Sequence, residues 1–417
     1  MMREKLHFGR YDYAGYFAFI VYAMCSLSIP LVLVAMGKDL NFPLDDGGMA
    51  AGGLLHLFRS IALFVALLFC GMIGGRIGKR RTMGMAVILM GTGIFLCSLS
   101  PVYFLLIPFL LIAGFGEGIC EGMATPFVQE LHTDAPERYV NIAHSMWSVG
   151  IFFCVIVAGA LLTLGISWRI ILLVCGCLGF LSGIFFLWKE NPAKKYPESN
   201  HKDDPADIWR YSIAIAKSGR FWTYCAGMFM GAGAEYCLTF WAAAYLQLTF
   251  HASAWVAGAG TAAIAAGMFL GRVGFGFFAR REYLKHILLG ASLGTIPLIL
   301  LLACLKPEMF PSTNMMFAAL LLILFLAGVG IAPFWPTLQV YGVEQLPELD
   351  STMLYIYFSA MGVPGCGFFT WIMGVLGDRF GLRGAFMMLP ASLVVYALII
   401  LAEGWLFPKK RKATQGI

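Results

Sequence analysis

The sequence is poor in charge: only 12% of its 417 residues are Asp, Glu, Lys or Arg, roughly half the share expected of a soluble domain. It also lacks a phosphate-binding Walker sequence, any zinc spacing of Cys and His, and a catalytic triad. These absences argue against a soluble protein, an ATP-driven pump and an enzyme, and we expect no cofactor and no metal. The 11 cysteines are scattered through apolar runs and are predicted to pack as small apolar residues.

Long apolar runs take the place of charge, since 60% of the residues are hydrophobic. We count twelve runs of about 20 residues, the length that crosses a bilayer as a helix. The alternating pattern of a membrane β-barrel is absent, so these runs are predicted to be helices. The fold class is therefore predicted as an all-α polytopic membrane protein with 12 transmembrane helices.

The basic residues alternate between the two sides of the predicted spans. If the N-terminus lies inside, 22 of the 29 Lys and Arg fall in cytoplasmic segments and five fall in outer loops. This asymmetry predicts an inner (plasma) membrane protein with both termini in the cytoplasm. It also accounts for the formal charge of +6 without nucleic acid, so the expected partners are membrane lipids, protons and a small solute.

One long hydrophilic stretch divides the spans six and six. We predict an N-terminal six-helix bundle over residues 1–188, a cytoplasmic linker over 189–219, and a C-terminal six-helix bundle with a basic tail over 220–417. The halves resemble each other weakly, because GFGEGICEGMATPFVQE in span four aligns with GVGIAPFWPTLQVYGVE in span ten. Such internal symmetry is typical of secondary transporters, whose binding site lies near the midplane between the repeats.

The segment Gly71–Arg80 resembles the loop between spans two and three of the major facilitator superfamily, G-x-x-x-D-R-x-G-R-R. Gly75 stands where that family usually has Asp, whereas Arg76 and Arg80 fit. The resemblance implies two six-helix bundles that expose a central site alternately to either side. It also implies gating roles for Arg76 and Arg80.

Five further segments together resemble the bacterial fucose permease-like branch of sugar:proton symporters. They are GICEGMATPF (Gly118–Phe127), NIAHSMWSVG (Asn141–Gly150), GAGAEYCLTFWAAAYL in span seven, FLGRVGFGFFARR in span eight and APFWPT (Ala332–Thr337) in span ten. Thr125 replaces an Asn of the branch pattern. Ser26 replaces an Asp that is one of the branch's protonation sites.

Three acids inside spans are the candidates for proton coupling. Glu121 occupies the position of the branch's sugar- and proton-handling acid, Glu117 lies one turn before it, and Glu235 is the acid of span seven. Acids in the membrane are rare and usually face a wet cavity, and burial favours the protonated form of a carboxyl group. The alternative for each acid is a structural role, satisfied by groups of a neighbouring span.

The predicted substrate contacts combine acids, aromatic planes and hydroxyl-binding groups: Glu121, Glu235, Trp241, Tyr245, His144, Trp147, Trp335 and Ser26. Aromatic planes suit the apolar C–H faces of sugars, but they also suit packing and interfacial anchoring. Arg272 fits the G-R run of the branch and is assigned to gating. Arg59 has no counterpart there, and snorkelling, pairing with an acid or binding an anion all stay open.

The sequence thus predicts a secondary active transporter, functional as a monomer, that moves a monosaccharide or sugar derivative by alternating access with proton coupling. A drug or metabolite exporter of the same superfamily is the first alternative. The abundance of Met and Phe, 22 and 35 residues, would suit its cavity. A membrane sensor that transports nothing is the second alternative.

Overall fold

The structure is a computed structural model that describes residues 7–132, 136–188, 195–197, 205–278 and 282–407. Within these residues all regular structure is helical, which confirms the all-α fold class. The helices are α1 (Arg10–Asp39), α2 (Met49–Ile77), α3 (Lys79–Leu99), α4 (Tyr103–Leu131), α5 (Pro136–Thr163), α6 (Trp168–Leu187), α7 (Pro205–Ala216), α8 (Gly219–Phe250), α9 (Ala254–Phe278), α10 (Leu284–Cys304), α11 (Thr313–Ile331), α12 (Pro336–Glu344), α13 (Ser351–Ala385), α14 (Met388–Leu406) and a short 3-10 helix, Pro307–Met309.

Eleven membrane-spanning candidates are found in the described part of the chain, by length and composition. The α11–α12 unit, Thr313–Glu344, counts as one of them. The twelfth predicted span is α8, which at 32 residues is long enough to cross a bilayer but less apolar than the others. The short α7 lies in the predicted linker. Residues 189–194 and 198–204 of the linker and the basic tail from residue 408 onward lie outside the described residues.

Two prolines interrupt span ten, as the sequence predicts. Helix α11 ends at Ile331, and α12 starts again at Pro336 after a turn that contains Pro333. Proline lacks the backbone N–H that continues a helix, whereas it is well tolerated at a first helical position.

Glycines let α4 pack directly on α2. A side chain at Gly114 would collide with the carbonyl oxygen of Arg59, and one at Gly118 would collide with that of Leu63. Small residues permit this close approach between membrane helices. The contact presses the intervening turn of α4, which carries Glu117, against α2.

Helices α1–α6 form the first half of the molecule and α8–α14 the second. We call the side of the bundle where α1 begins and α14 ends the termini end, and the opposite side the far end. At the far end the Asp378 carboxylate of α13 accepts hydrogen bonds from the backbone N–H groups of Met49 (2.9 Å) and Ala50 (2.8 Å), which begin α2. The Trp255 N–H donates to Thr163 at 2.8 Å between α9 and α5. The halves are therefore in contact at the far end.

Candidate functional site

Two groups of polar side chains in the spans contain the candidate functional residues. We call Arg59, Glu117, Ser26 and His56 the Arg59 cluster. We call Glu121, Tyr22, His144, Glu235 and Arg272 the central site. Both groups lie within membrane-spanning helices, where an unsatisfied polar group is costly. The two groups differ in how completely their hydrogen bonds are satisfied.

Arg59 and Glu117 form a closed ion pair. The guanidinium donates from Nε to Glu117 Oε2 at 2.8 Å and from Nη2 to Glu117 Oε1. It also donates to the carbonyl oxygens of Ser26 at 3.1 Å and Cys25 at 3.0 Å. The side chains are 2% and 1% exposed. Of the three roles left open for Arg59, the geometry therefore selects pairing with an acid, and it leaves Glu117 no free oxygen to face a cavity.

Glu121 differs from Glu117 although it lies one turn further along α4. It has no ion pair among the described residues, and its side chain is partly exposed. The Tyr22 hydroxyl and the Arg272 guanidinium of the other half are close enough to interact with its carboxyl group. Glu121 thus faces the space between the halves rather than lipid.

Arg272 and Glu235 form an open ion pair in the second half. Arg272 Nη2 donates to Glu235 Oε1 at 2.9 Å, and the two side chains are 33% and 11% exposed. The other carboxylate oxygen, Oε2, and the Arg272 Nε are buried without a partner. Because buried polar atoms are normally satisfied, this pair can exchange partners at little cost.

His144 lies on the first-half wall of the same space. Its Nε2 is 2.9 Å from the Thr125 hydroxyl, its ring lies 4.8 Å from that of Phe19, and its side chain is exposed. The charge of Arg272 acts on it from across the gap. The structure therefore places His144 beside Thr125 and within electrostatic range of Arg272.

Two tryptophans from opposite halves are partly exposed near this site. Trp147 of α5 packs edge-on against Tyr22 with ring centroids 4.3 Å apart. Trp335 of the second half lies against Gly362 of α13. Both retain surface that a solute can cover.

Trp241 and Tyr245 lie elsewhere. Both are fully buried in the second half. The Trp241 indole donates to the Thr370 carbonyl at 3.0 Å, and the Tyr245 hydroxyl donates to the Leu302 carbonyl at 2.8 Å. These contacts are packing contacts, so the site assembled here leaves both residues out.

Ser26 is nearly buried and belongs to the Arg59 cluster rather than the central site. Its hydroxyl lies 3.4 Å from that of Tyr236 on α8. Tyr236 also stacks on His56. Ser26 therefore takes part in a contact between the halves, in the position where the resemblance implies a protonation site.

The basic residues assigned to gating are spread over the protein. Arg76 is exposed at the end of α2. Arg80 is buried and donates to the Phe186 carbonyl of α6, whereas the neighbouring Lys79 pairs with Glu130 at 3.2 Å. Arg272 lies in the central site. The described contacts of Arg80 and Lys79 stay within the first half.

Tyr22 lies in the central site and Tyr236 beside the Arg59 cluster, although the sequence analysis did not single them out. Thr125, named there only as a departure from the branch pattern, contacts His144. Aromatic and hydroxyl residues are common in membrane helices, so type alone carries little signal. Their positions in the sequence are more informative than their type, because Tyr236 directly follows Glu235 and Thr125 lies one turn after Glu121. Within the described ranges no group of three His, Cys, Asp or Glu could hold a metal ion, and all 11 cysteines are free thiols.

Comparison with known proteins identifies one family and several solved structures with a similar fold. The family model described as Major Facilitator Superfamily matches residues 15–365. Among solved structures, the nucleoside transporter NupG has a TM-score of 0.74 at 14% identity, over 94% of this chain and 98% of that one. The E. coli fucose:proton symporter FucP has a TM-score of 0.65 at 17% identity, over 94% and 98%. A D-xylose-proton symporter has 0.71 at 13%, over 94% and 96%. No protein with a curated description matches the sequence significantly.

Proposed function

Because this chain belongs to the major facilitator superfamily, and is thus a polytopic membrane transporter, we propose that it imports a small neutral polyhydroxylated solute, a monosaccharide or sugar derivative, together with a proton. The observation that carries the proposal is Glu121, an acid without an ion-pair partner between the halves. The proposal places the protein in the inner (plasma) membrane as a monomer, with both termini in the cytoplasm. The first half, the linker and the second half correspond to residues 1–188, 189–219 and 220–417.

The charges of the site favour a neutral solute. Arg59 is balanced by Glu117 and Arg272 by Glu235, so the site carries one excess negative charge when Glu121 is ionised. One proton on Glu121 makes the site neutral, and a neutral site crosses the membrane field and closes around its contents more easily than a charged one. This count supports one proton for each neutral solute.

The remaining side chains suit a sugar. His144, Thr125 and Tyr22 offer hydrogen-bonding groups for hydroxyls, and Trp147 and Trp335 offer aromatic planes for the apolar C–H faces. This mixture of apolar planes with few polar groups is typical of small-molecule sites. Fucose and D-xylose, the sugars that FucP and the xylose symporter carry with protons, belong to this class, although those likenesses establish only the fold.

In the proposed cycle, the far end opens to the outside, and solute and proton bind together. The halves then rock to the arrangement seen here, closed at the far end. Loss of the proton to the cytoplasm restores the charge on Glu121, which weakens its hydrogen bonding to the solute as Arg272 is drawn toward it. The electrical part of the driving force is about 2.3 kcal/mol per charge per 100 mV.

The test is uptake into proteoliposomes from a panel of sugars, nucleosides and lipophilic cations, with an inward proton gradient imposed. We expect gradient-driven accumulation of a sugar by the native protein and none by Glu121→Gln. Glu308→Gln, in the far-end 3-10 helix, is the matched control and should accumulate normally. Sugar accumulation by Glu121→Gln at the native level would overturn the assignment.

An exporter of apolar compounds is the second candidate, and one observation favours it. A cavity of about 400 Å³ lies between α8, α13 and α14, with apolar walls that include Phe229, Met230, Met361 and Pro364. A lipophilic compound would fit such walls better than a sugar. A thermal-shift panel separates the candidates, because sugars should stabilise the importer and lipophilic cations the exporter.

A further inference from the structure

Tyr236 of α8 makes two contacts with the first half, and Phe240, one turn further on, makes a looser one, its ring tilted at 5.3 Å from that of His56. Tyr236 makes the closer contact. Its ring lies parallel to the His56 imidazole, with centroids 4.3 Å apart and an angle of 5° between the planes. Its hydroxyl lies 3.4 Å from the Ser26 hydroxyl. Tyr236 therefore joins α8 in the second half to both α1 and α2 in the first half.

The two other large polar aromatics further along α8 provide a comparison. Trp241 and Tyr245 donate their hydrogen bonds to Thr370 and Leu302, which belong to their own half. Tyr236 is also partly exposed, whereas these two are fully buried. The contact of Tyr236 is thus an interface between the halves rather than part of the packing of one half.

The contact is built so that it can be released. His56 Nε2 lies 3.2 Å from the Ser60 hydroxyl of its own helix, and this bond survives separation of the halves. His56 Nδ1 is buried without a partner, so separation would let water satisfy it, which offsets the lost stacking. Opposing terms of similar size are what a two-state contact requires.

Tyr236 also lies next to the central site in sequence. Consecutive helical residues point about 100° apart, so Glu235 reaches Arg272 while Tyr236 reaches the other half. A change in the open Glu235–Arg272 pair therefore moves this turn of α8. The same movement shifts the Tyr236 ring relative to the His56 imidazole.

We propose that Tyr236 is the gate residue of the far end: its stack on His56 and its hydroxyl contact with Ser26 hold the halves together in this state, and both must part before the far end opens. The proposal rests on the alternating access of the proposed function. It does not depend on which solute is carried. Asp378 and Thr163 hold the rim of the same closure, whereas Tyr236 adjoins the site.

The experiment measures the far-end distance by pulsed electron paramagnetic resonance in lipid nanodiscs. Spin labels are placed at Leu164→Cys in the first half and Met309→Cys in the second, positions that are 78% and 60% exposed. The exposed native cysteines, Cys177 and Cys304, are changed to serine. A short distance reports the closed far end, and a long distance reports the open one.

We expect Tyr236→Ala to raise the population with the long distance about tenfold, since it loses both a stacked pair and a hydrogen bond. Tyr236→Phe keeps the ring and should give a smaller rise. His56→Ala should resemble Tyr236→Ala, whereas His56→Phe, which keeps an aromatic plane, should stay near the native distribution. Tyr245→Phe is the matched control, because it loses a buried hydrogen bond of α8 within one half and should leave the distances unchanged.

Native distance distributions in both Tyr236→Phe and His56→Ala would overturn the proposal, even if Tyr236→Ala failed to fold. Equal rises in Tyr245→Phe and Tyr236→Phe would also overturn it, because the effect would then be general loosening. The distances require neither solute nor proton gradient. A failure of sugar uptake would therefore reject the proposed solute, whereas the distance measurements would still test the role of Tyr236.

Discussion

Arg272 gives Glu235 a single hydrogen bond, at 2.9 Å, and leaves the second carboxylate oxygen and its own Nε without partners. Arg59, by contrast, donates hydrogen bonds to both carboxylate oxygens of Glu117 and to two backbone carbonyls. The closed Arg59–Glu117 pair therefore links α1, α2 and α4 within the first half, whereas the open Arg272–Glu235 pair faces the site beside Glu121.

Arg272→Ala should lower the initial rate of proton-driven uptake at least tenfold. Without this cation, Glu121 and Glu235 lose their counter-charge and repel each other across the site. Glu235→Gln in the same chain removes the repulsion and should restore part of the rate. Equal rates in Arg272→Ala with and without Glu235→Gln would show that the three groups are not coupled.

Glu121→Gln should separate exchange from accumulation. The amide mimics the protonated acid, so the variant binds solute and returns across the membrane only when loaded. We expect near-native counterflow of labelled solute between equal internal and external pools, measured in proteoliposomes without a gradient. Loss of counterflow together with accumulation would assign Glu121 to structure or to binding alone.

Glu117→Gln should destabilise the protein, since it leaves the Arg59 charge buried and uncompensated. Breaking such a pair from one side costs about 3–5 kcal/mol, which thermal unfolding in detergent would register as a large fall in Tm. The control is Asp39→Asn, which removes the charge from the exposed pair with Arg169, keeps an oxygen that accepts hydrogen bonds, and should cost less than about 1 kcal/mol. Similar Tm changes in both variants would contradict the closed-pair account.

Trp147→Ala should raise the KM for uptake about three- to tenfold, by loss of an aromatic contact with the solute. Trp241→Phe should leave KM unchanged and lower Tm, because the Trp241 indole bonds the Thr370 carbonyl inside the second half. The KM values come from uptake kinetics of the two variants, and the Tm values come from their melting curves. A raised KM in Trp241→Phe alone would restore the sequence-based assignment of Trp241 to the substrate.

Asp378→Ala should loosen the first turn of α2. Removal of a helix cap costs about 0.5–2 kcal/mol, so the amides of Met49 and Ala50 should exchange hydrogen about tenfold faster. Asp350→Ala provides the comparison: Asp350 caps α13 through the Met353 N–H at 2.8 Å, within one half. Faster exchange at Met49 in that variant as well would point to general unfolding.

The fold could be predicted because hydrophobic length and proline position are local properties. Runs of about 20 apolar residues become helices in a bilayer regardless of their neighbours, and Pro333 and Pro336 break span ten wherever it lies. The weaker case is α8, whose polar residues and glycines leave it outside the set of eleven candidates although it is 32 residues long.

The partners of the charged residues could not be predicted, because they depend on how helices pack. Glu117 and Glu121 have the same type and the same apolar surroundings in sequence. One meets Arg59 of α2 because Gly114 and Gly118 bring the two backbones together, and the other faces the opposite half. A separation of 58 residues hides that pairing from any local pattern.

Helix phase explains the sequence-based residues that lie away from the site. Trp241 is six positions after Glu235, so it points about a third of a turn away, and that offset carries it and Tyr245 into contact with the second half. The same phase argument brings Tyr236 to the other half. A periodicity analysis can list these faces, but only the packing decides which face meets the cavity.

The most direct test of the account is the proton flux that accompanies uptake. Solute added outside weakly buffered proteoliposomes, at zero imposed gradient, should alkalinise the external medium by one proton for each solute molecule that enters. The signal should vanish in Glu121→Gln while counterflow continues. Solute entry with no proton movement in the native protein, or a proton signal that persists in Glu121→Gln, would contradict the account.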